Sequence, residues 1–197
     1  MPRIPLPATR EDLADDAQRA VWDSVVAGPR GRVIGPLRAA IHAPDLARAW
    51  SALGESLRFG TSLGKRLSEL AIIVTGRRWS AQVEWFVHAQ AAADAGLEPE
   101  VIAAIRDGAP PDFTHPDDAL IYDYARLLLR DGTVPAALHA QVTERFGVPG
   151  VVELTALIGY YSMVAMTLNA HDVPLPDGAT PPLTAPPEGL FAQPPPD

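Results

Sequence analysis

The 197-residue chain contains no cysteine. That absence excludes disulfides, zinc–thiolate and iron–sulfur centres, and thiol nucleophiles. Reduction of a peroxide by a cysteine pair is chemically impossible for this chain. Lysine is almost as scarce: Lys65 is the single one among 16 basic residues, and the rest are arginine. Against 24 Asp and Glu the formal charge is -8. Such a balance disfavours nucleic acid, whose phosphates need clustered cations. No GxGxxG, P-loop or GxSxG occurs, so nucleotide binding and α/β-hydrolase chemistry lack support. HExxH and two-His-plus-carboxylate spacings are also missing, so neither a metal nor another cofactor is expected. Residues 1–7 lack an apolar signal core, and the chain is read as soluble and cytoplasmic.

What the chain does have is a 47% hydrophobic content, enough for a sizeable core. Its periodicity is helical almost throughout, and no segment alternates long enough for a strand. Helices are predicted from Thr9 to about Ala27 and at Gly35-Pro36. Another runs from Asp45 to Gly60 on a stripe of Leu46, Trp50, Leu53 and Leu57. Leu67, Leu70, Ile73 and Val74 mark the next, and Ser80 is the expected cap of one ending at Gly96. Further helices run from Glu98-Pro99 to Gly108, from Pro116 to about Asp131, and from Pro135 to Phe146. A long one runs from about Pro149 to Ala170. Proline in the first turn and glycine past the end set these boundaries. The expected architecture is a single all-α domain of about eight helices over residues 1–173.

Twelve of the 21 prolines fall in residues 1–7 and 174–197. A Pro-rich tail over 174–197 is therefore expected to be extended or disordered. The run from Val151 to Ala170 approaches the ~20 apolar residues of a membrane span. Glu153 lies inside it and no flanking arginine pattern accompanies it, so it is read as a buried core helix.

Chemistry concentrates between Lys65 and Gly96. Glu84 and His88 are four apart on one predicted helix, which puts them on one face. A carboxylate beside an imidazole makes a workable general acid–base pair, and the same spacing also occurs in ordinary helix-surface pairs. Glu69 sits beside an apolar stripe on the preceding helix, where desolvation would raise its pKa. Arg66, Arg77 and Arg78 are close by, and either Arg66 or Arg78 is a candidate grip for an anionic substrate. Trp85 is a candidate pocket wall or a core residue. Lys65 as a Schiff-base amine is a weaker option, because it needs desolvation or a cationic neighbour.

These stretches resemble the carboxymuconolactone decarboxylase family within the alkylhydroperoxidase D-like superfamily. The resemblance is carried by LGKRLSELAII at 63–73, EWFVH at 84–88, AGLEPEVIAAI at 95–105 and VELTALIGYY at 152–161. It implies an all-helical fold and a homo-oligomer (dimer, trimer or hexamer). By the register of the peroxidase branch, Glu69 and His88 match its glutamate and histidine, while its two cysteines fall on Ala81 and Glu84. The decarboxylase branch keeps a glutamate four residues before the histidine, as Glu84 and His88 do. The resemblance thus implies a cofactor-free enzyme of aromatic catabolism acting on a small anionic lactone or oxoacid. His88 would move the proton, Glu84 would orient and charge it, and Glu69 would either share the relay or stabilise the imidazolium. The contrasting expectation is a binding or scaffold protein on the same fold.

Overall fold

The computed structural model describes residues 1–176 and 178–184, and these contain eight α-helices and no strand. They are α1 (Asp16–Ala27), α2 (Pro36–Ala40), α3 (Pro44–Phe59), α4 (Lys65–Arg78), α5 (Gln82–Asp94), α6 (Pro99–Asp107), α7 (Pro116–Asp131) and α8 (Ala136–Ala170). The all-α expectation holds. Four helices carry proline in the first turn, where the missing N–H costs nothing. Gly108 and Gly132 end α6 and α7 in the left-handed conformation that glycine adopts without strain.

The central element is α4, which packs on α5, α6, α7 and α8. Every residue from Leu67 to Arg77 is buried, including Leu70, Ile72 and Ile73 at 1% exposure or less. A helix apolar nearly all round must be enclosed on all sides. Each such aliphatic side chain contributes roughly 1.5–3 kcal/mol by leaving water. Glu69, Ser68 and Thr75 interrupt this apolar surface, so the core helix is also the one that brings polar groups inside.

Two boundaries differ from expectation. Thr9 starts only a short 3-10 turn at Arg10–Asp12, and α1 begins at Asp16. There Asp15 is the cap, its carboxylate accepting from the Gln18 N–H. Ser80 does not cap α5; it has a φ of 49°, and its hydroxyl accepts from Arg77. The two last predicted helices follow one another within α8 and are separated, as expected, at Gly147, whose dihedrals are non-helical (φ 73°, ψ 171°). Only glycine takes that conformation readily, and Pro149 restarts the helix. The expected stripe of α3 is also shifted. Trp50 and Leu57 are buried with Ala47 and Gly54, whereas Leu46 and Leu53 face outward.

By length and composition α8 could cross a bilayer, but half of its most apolar window is buried within the fold. It packs against α3, α4, α5 and α7 as a core helix does. Both Pro-rich ends are anchored where they are described. The Arg3 N–H donates to the His171 carbonyl at 3.0 Å, and the Arg38 guanidinium donates to the Leu6 and Pro7 carbonyls. Residues 174–176 and 178–184 form no helix or strand. Leu183 is nevertheless 3% exposed, and the Gln82 amide clasps its backbone with two hydrogen bonds of 2.8 and 3.0 Å. The remainder of the expected tail, 185–197, lies outside the described residues.

Candidate functional site

The hairpin of α4 and α5 assembles the polar group inside the core. Glu69 and Gly76 are seven apart on α4 and so share a face; Glu84 and His88 are four apart on α5. Running antiparallel, the two helices place Glu69 opposite His88 and Gly76 opposite Glu84. His88 Nδ1 lies 2.7 Å from Glu69 Oε2, and both side chains are less than a tenth exposed. With the carboxylate accepting, Nδ1–H donates and Nε2 is left with its lone pair. The Tyr161 ring of α8 meets the imidazole edge to face, with centroids 4.9 Å apart. Burial raises the Tyr161 hydroxyl far above its usual pKa, so the phenol stays protonated.

Glu84 does something other than the expected orienting of His88. Both its carboxyl oxygens are buried and neither has a hydrogen-bond partner among the described residues. The residue is 2% exposed, and burial alone pushes its carboxyl well above the ordinary 4.5. The His88 partner is Glu69, nineteen residues earlier, and not the neighbour one turn away. Space for the Glu84 carboxyl comes from Gly76, where an added Cβ would stand 3.1 Å from Glu84 Oε1. The group thus contains an ion-pair-capable dyad and, beside it, a carboxyl that burial drives toward its neutral form.

One of the two candidate arginines is engaged elsewhere. Arg66 forms a salt bridge with Asp118 of α7, a residue with no solvent exposure. That bond is structural: a buried carboxylate stripped of its cation is costly. Arg66→Met is expected to destabilise the fold by about 2 kcal/mol and to leave the affinity for an anionic ligand unchanged. Chemical denaturation and ligand titration on the same variant check both halves. Arg78 lies at the last position of α4. Arg77 is 6% exposed and donates to the Arg106 carbonyl and the Ser80 hydroxyl. Burial lowers its pKa. Trp85 is 2% exposed and belongs to the apolar core, so the pocket-wall expectation gives way to the core one. Lys65 opens α4 in an exposed position, without the desolvation that a Schiff-base amine needs.

Sequence reasoning missed Tyr161, Tyr160 and Gly76. The only trace of the first two was a tyrosine pair in an apolar helix, and of the third a glycine seven residues after Glu69. Among the described residues no three His, Asp or Glu side chains converge as metal ligands would. An open groove near the N-terminus, lined by residues 1–6, Arg38 and Pro174, shares no residue with the Glu69–Glu84–His88 group.

No family model and no curated protein matches the sequence. Among solved structures the chain is similar to an alkylhydroperoxidase AhpD core, an uncharacterized peroxidase-related protein from Ralstonia eutropha JMP134. The TM-score is 0.71 at 18% identity, over 98% of this chain and 95% of that one. It is also similar to an uncharacterized peroxidase-related protein from Silicibacter sp. TM1040, with a TM-score of 0.66 at 16% identity and the same coverage. At this identity the likeness shows the fold, which is AhpD-like.

Proposed function

We propose that the protein is a cofactor-free acid–base enzyme acting on a small carboxylated lactone or oxoacid, by decarboxylation or isomerisation. The observation that carries this reading is the buried Glu69–His88 dyad with the neutral Glu84 carboxyl on the same face. Glu69 fixes the imidazole so that Nε2 can take or give a proton, and its charge stabilises the imidazolium that results. Glu84 can donate a hydrogen bond to an oxygen on which negative charge develops, as a carboxylic acid kept neutral by an apolar site does. In decarboxylation the carbon–carbon bond to the leaving CO2 breaks and its electron pair becomes an enolate. The His88 imidazolium then delivers its proton to the enolate carbon. In isomerisation the same nitrogen removes a proton at one carbon and returns it at another. The AhpD-like fold supports the placement of this chemistry on α4 and α5, and the lack of cysteine removes the thiol route.

One observation favours a second reading, a small-molecule-binding protein without turnover. Glu69, Glu84 and His88 are exposed by only 4%, 2% and 6%. A panel of carboxylated lactones and 2-oxoacids separates the two. Product formation is expected, and a thermal shift with no product from any member would favour the binding reading.

A further inference from the structure

Eight of the fifteen arginines pair with a carboxylate. In so acidic a chain the exceptions are informative. Arg30, in the loop after α1, and Arg58, on α3, have no carboxylate partner among the described residues. Both act on one place, the hydroxyl end of Tyr160. Arg30 Nη2 lies 3.4 Å from Tyr160 Oη, while its buried Nε has no acceptor. Trp50, 5% exposed, packs edge to face on the Tyr160 ring with centroids 6.3 Å apart, and its buried indole nitrogen too is unpartnered. Tyr160 is 6% exposed, and its hydroxyl has no acceptor for its own proton among the described residues. Tyr160 Oη accepts from Arg30 Nη2, and the buried Arg30 Nε and Trp50 indole N–H are left with nothing to accept from them. Buried donors are almost always satisfied, so such a cluster calls for an acceptor.

We propose that Arg30, Trp50 and Tyr160, with Arg58 beside them, form a seat for the carboxylate of a small organic acid. A carboxylate brings two oxygens and about four lone-pair positions, which matches a guanidinium fork plus an indole N–H and a phenol O–H. Gly54 gives the Tyr160 hydroxyl and the Arg30 guanidinium the room they occupy. An added Cβ there would stand 2.0 Å from Tyr160 Oη and 2.3 Å from Arg30 Nη2. Arg30 is only half-buried, which leaves a side open to solvent. The seat connects to the site described above through two rings. Tyr160 packs edge to face on Tyr161 at 5.3 Å, and Tyr161 on His88 at 4.9 Å. This deepens the acid–base reading and rests on it for the identity of the seat's ligand as a substrate. Arg30 takes the place that the sequence suggested for Arg66 or Arg78, and the carboxylate it holds is several bonds from the reacting carbon.

Calorimetric titration of the full chain with adipate, and with the neutral isostere adipamide, tests the seat without requiring turnover. Saturable binding of adipate and none of adipamide is expected. Arg30→Met should weaken adipate about 10- to 100-fold, and Trp50→Phe, which keeps the packing, about fivefold. Gly54→Ala should abolish binding while far-ultraviolet circular dichroism is unchanged. Arg30→Lys keeps the charge but loses the fork, and should restore only part of the affinity. Adipate binding that is indifferent to Arg30→Met, or the absence of carboxylate binding by the folded chain, overturns the seat. Carboxylate binding that depends on Arg30, with no turnover of any lactone or oxoacid, sustains the seat and defeats the enzyme reading. His88-dependent turnover with a KM unmoved by Arg30→Met does the reverse.

Discussion

Replacing His88 by alanine is expected to lower kcat/KM for the protein's carboxylated substrate by about 10²- to 10⁴-fold, the usual contribution of a positioned acid–base group. The imidazole is the one group of the site with a nitrogen free to exchange a proton, because Nδ1 is committed to Glu69. Glu69→Gln should fall between wild type and His88→Ala. Its carbonyl still accepts from Nδ1–H, but the charge that favours the imidazolium is lost. Removing His88 also leaves a buried carboxyl without its partner, at a cost of about 1–3 kcal/mol. The assay therefore belongs well below the unfolding temperature, with circular dichroism showing the variant folded. Unchanged turnover by a folded His88→Ala protein would end the role assigned to this residue.

Much of the fold was legible because its signals are local. Pro99 and Pro116 at the starts of α6 and α7, with Gly108 and Gly132 past their ends, mark boundaries that need no tertiary context. Where tertiary packing chooses between two local solutions, the reading slipped. On α3, Leu46 and Leu53 are spaced as well for burial as Ala47 and Gly54. The bulk of Trp50 and Tyr160, meeting 6.3 Å apart, turns the small residues inward instead. Gly147 and Pro149 mark the break between two helices as local signals alone predict, because the non-helical dihedrals of Gly147 and the ring of Pro149 need no tertiary context.

The site was legible in its members and not in its wiring. Glu69, Glu84 and His88 do stand together, yet periodicity on one helix favoured a bond between neighbours four apart. That rule applies to exposed faces, where side chains bend along the helix surface. On a buried face the partner comes from the facing helix, and the antiparallel register of α4 and α5 decides which one. Arg66 was suggested by proximity in sequence to Glu69. It is drawn instead to Asp118, because a carboxylate with no solvent exposure binds the first cation within reach. Arg30 follows α1 far upstream and carries no motif, so only the packing of α1 on α3 and of α3 on α8 brings it to Tyr160.

The Glu84 carboxyl makes a second large effect, on stability and with a definite sign. Its pKa is raised in the folded state by burial, from an ordinary value of 4.5. Below that value both folded and unfolded chains hold the proton, and the carboxyl imposes no pH-dependent penalty. As pH rises, the unfolded chain loses the proton while the folded chain keeps it. Unfolding then releases a proton, and stability falls by about 1.4 kcal/mol for each pH unit until the folded pKa is passed. Glu84→Met removes the titration and keeps the volume. Its Tm should exceed that of the wild type by a margin that opens above pH 4.5. For a chain of this size the margin should widen by about 3–6 °C per pH unit before levelling. Every other titrating group is common to both proteins and cancels in the difference. A Tm difference that stays constant from pH 4 to pH 9 would mean that Glu84 is not held neutral by the fold. The same substitution removes the neutral donor, so turnover should drop as stability rises, and Glu84→Gln, which retains an N–H donor, should lose less. Opposite movement of stability and activity is the expected mark of a buried carboxyl kept for chemistry. A variant that gained stability and kept full activity would leave Glu84 as a burial defect alone.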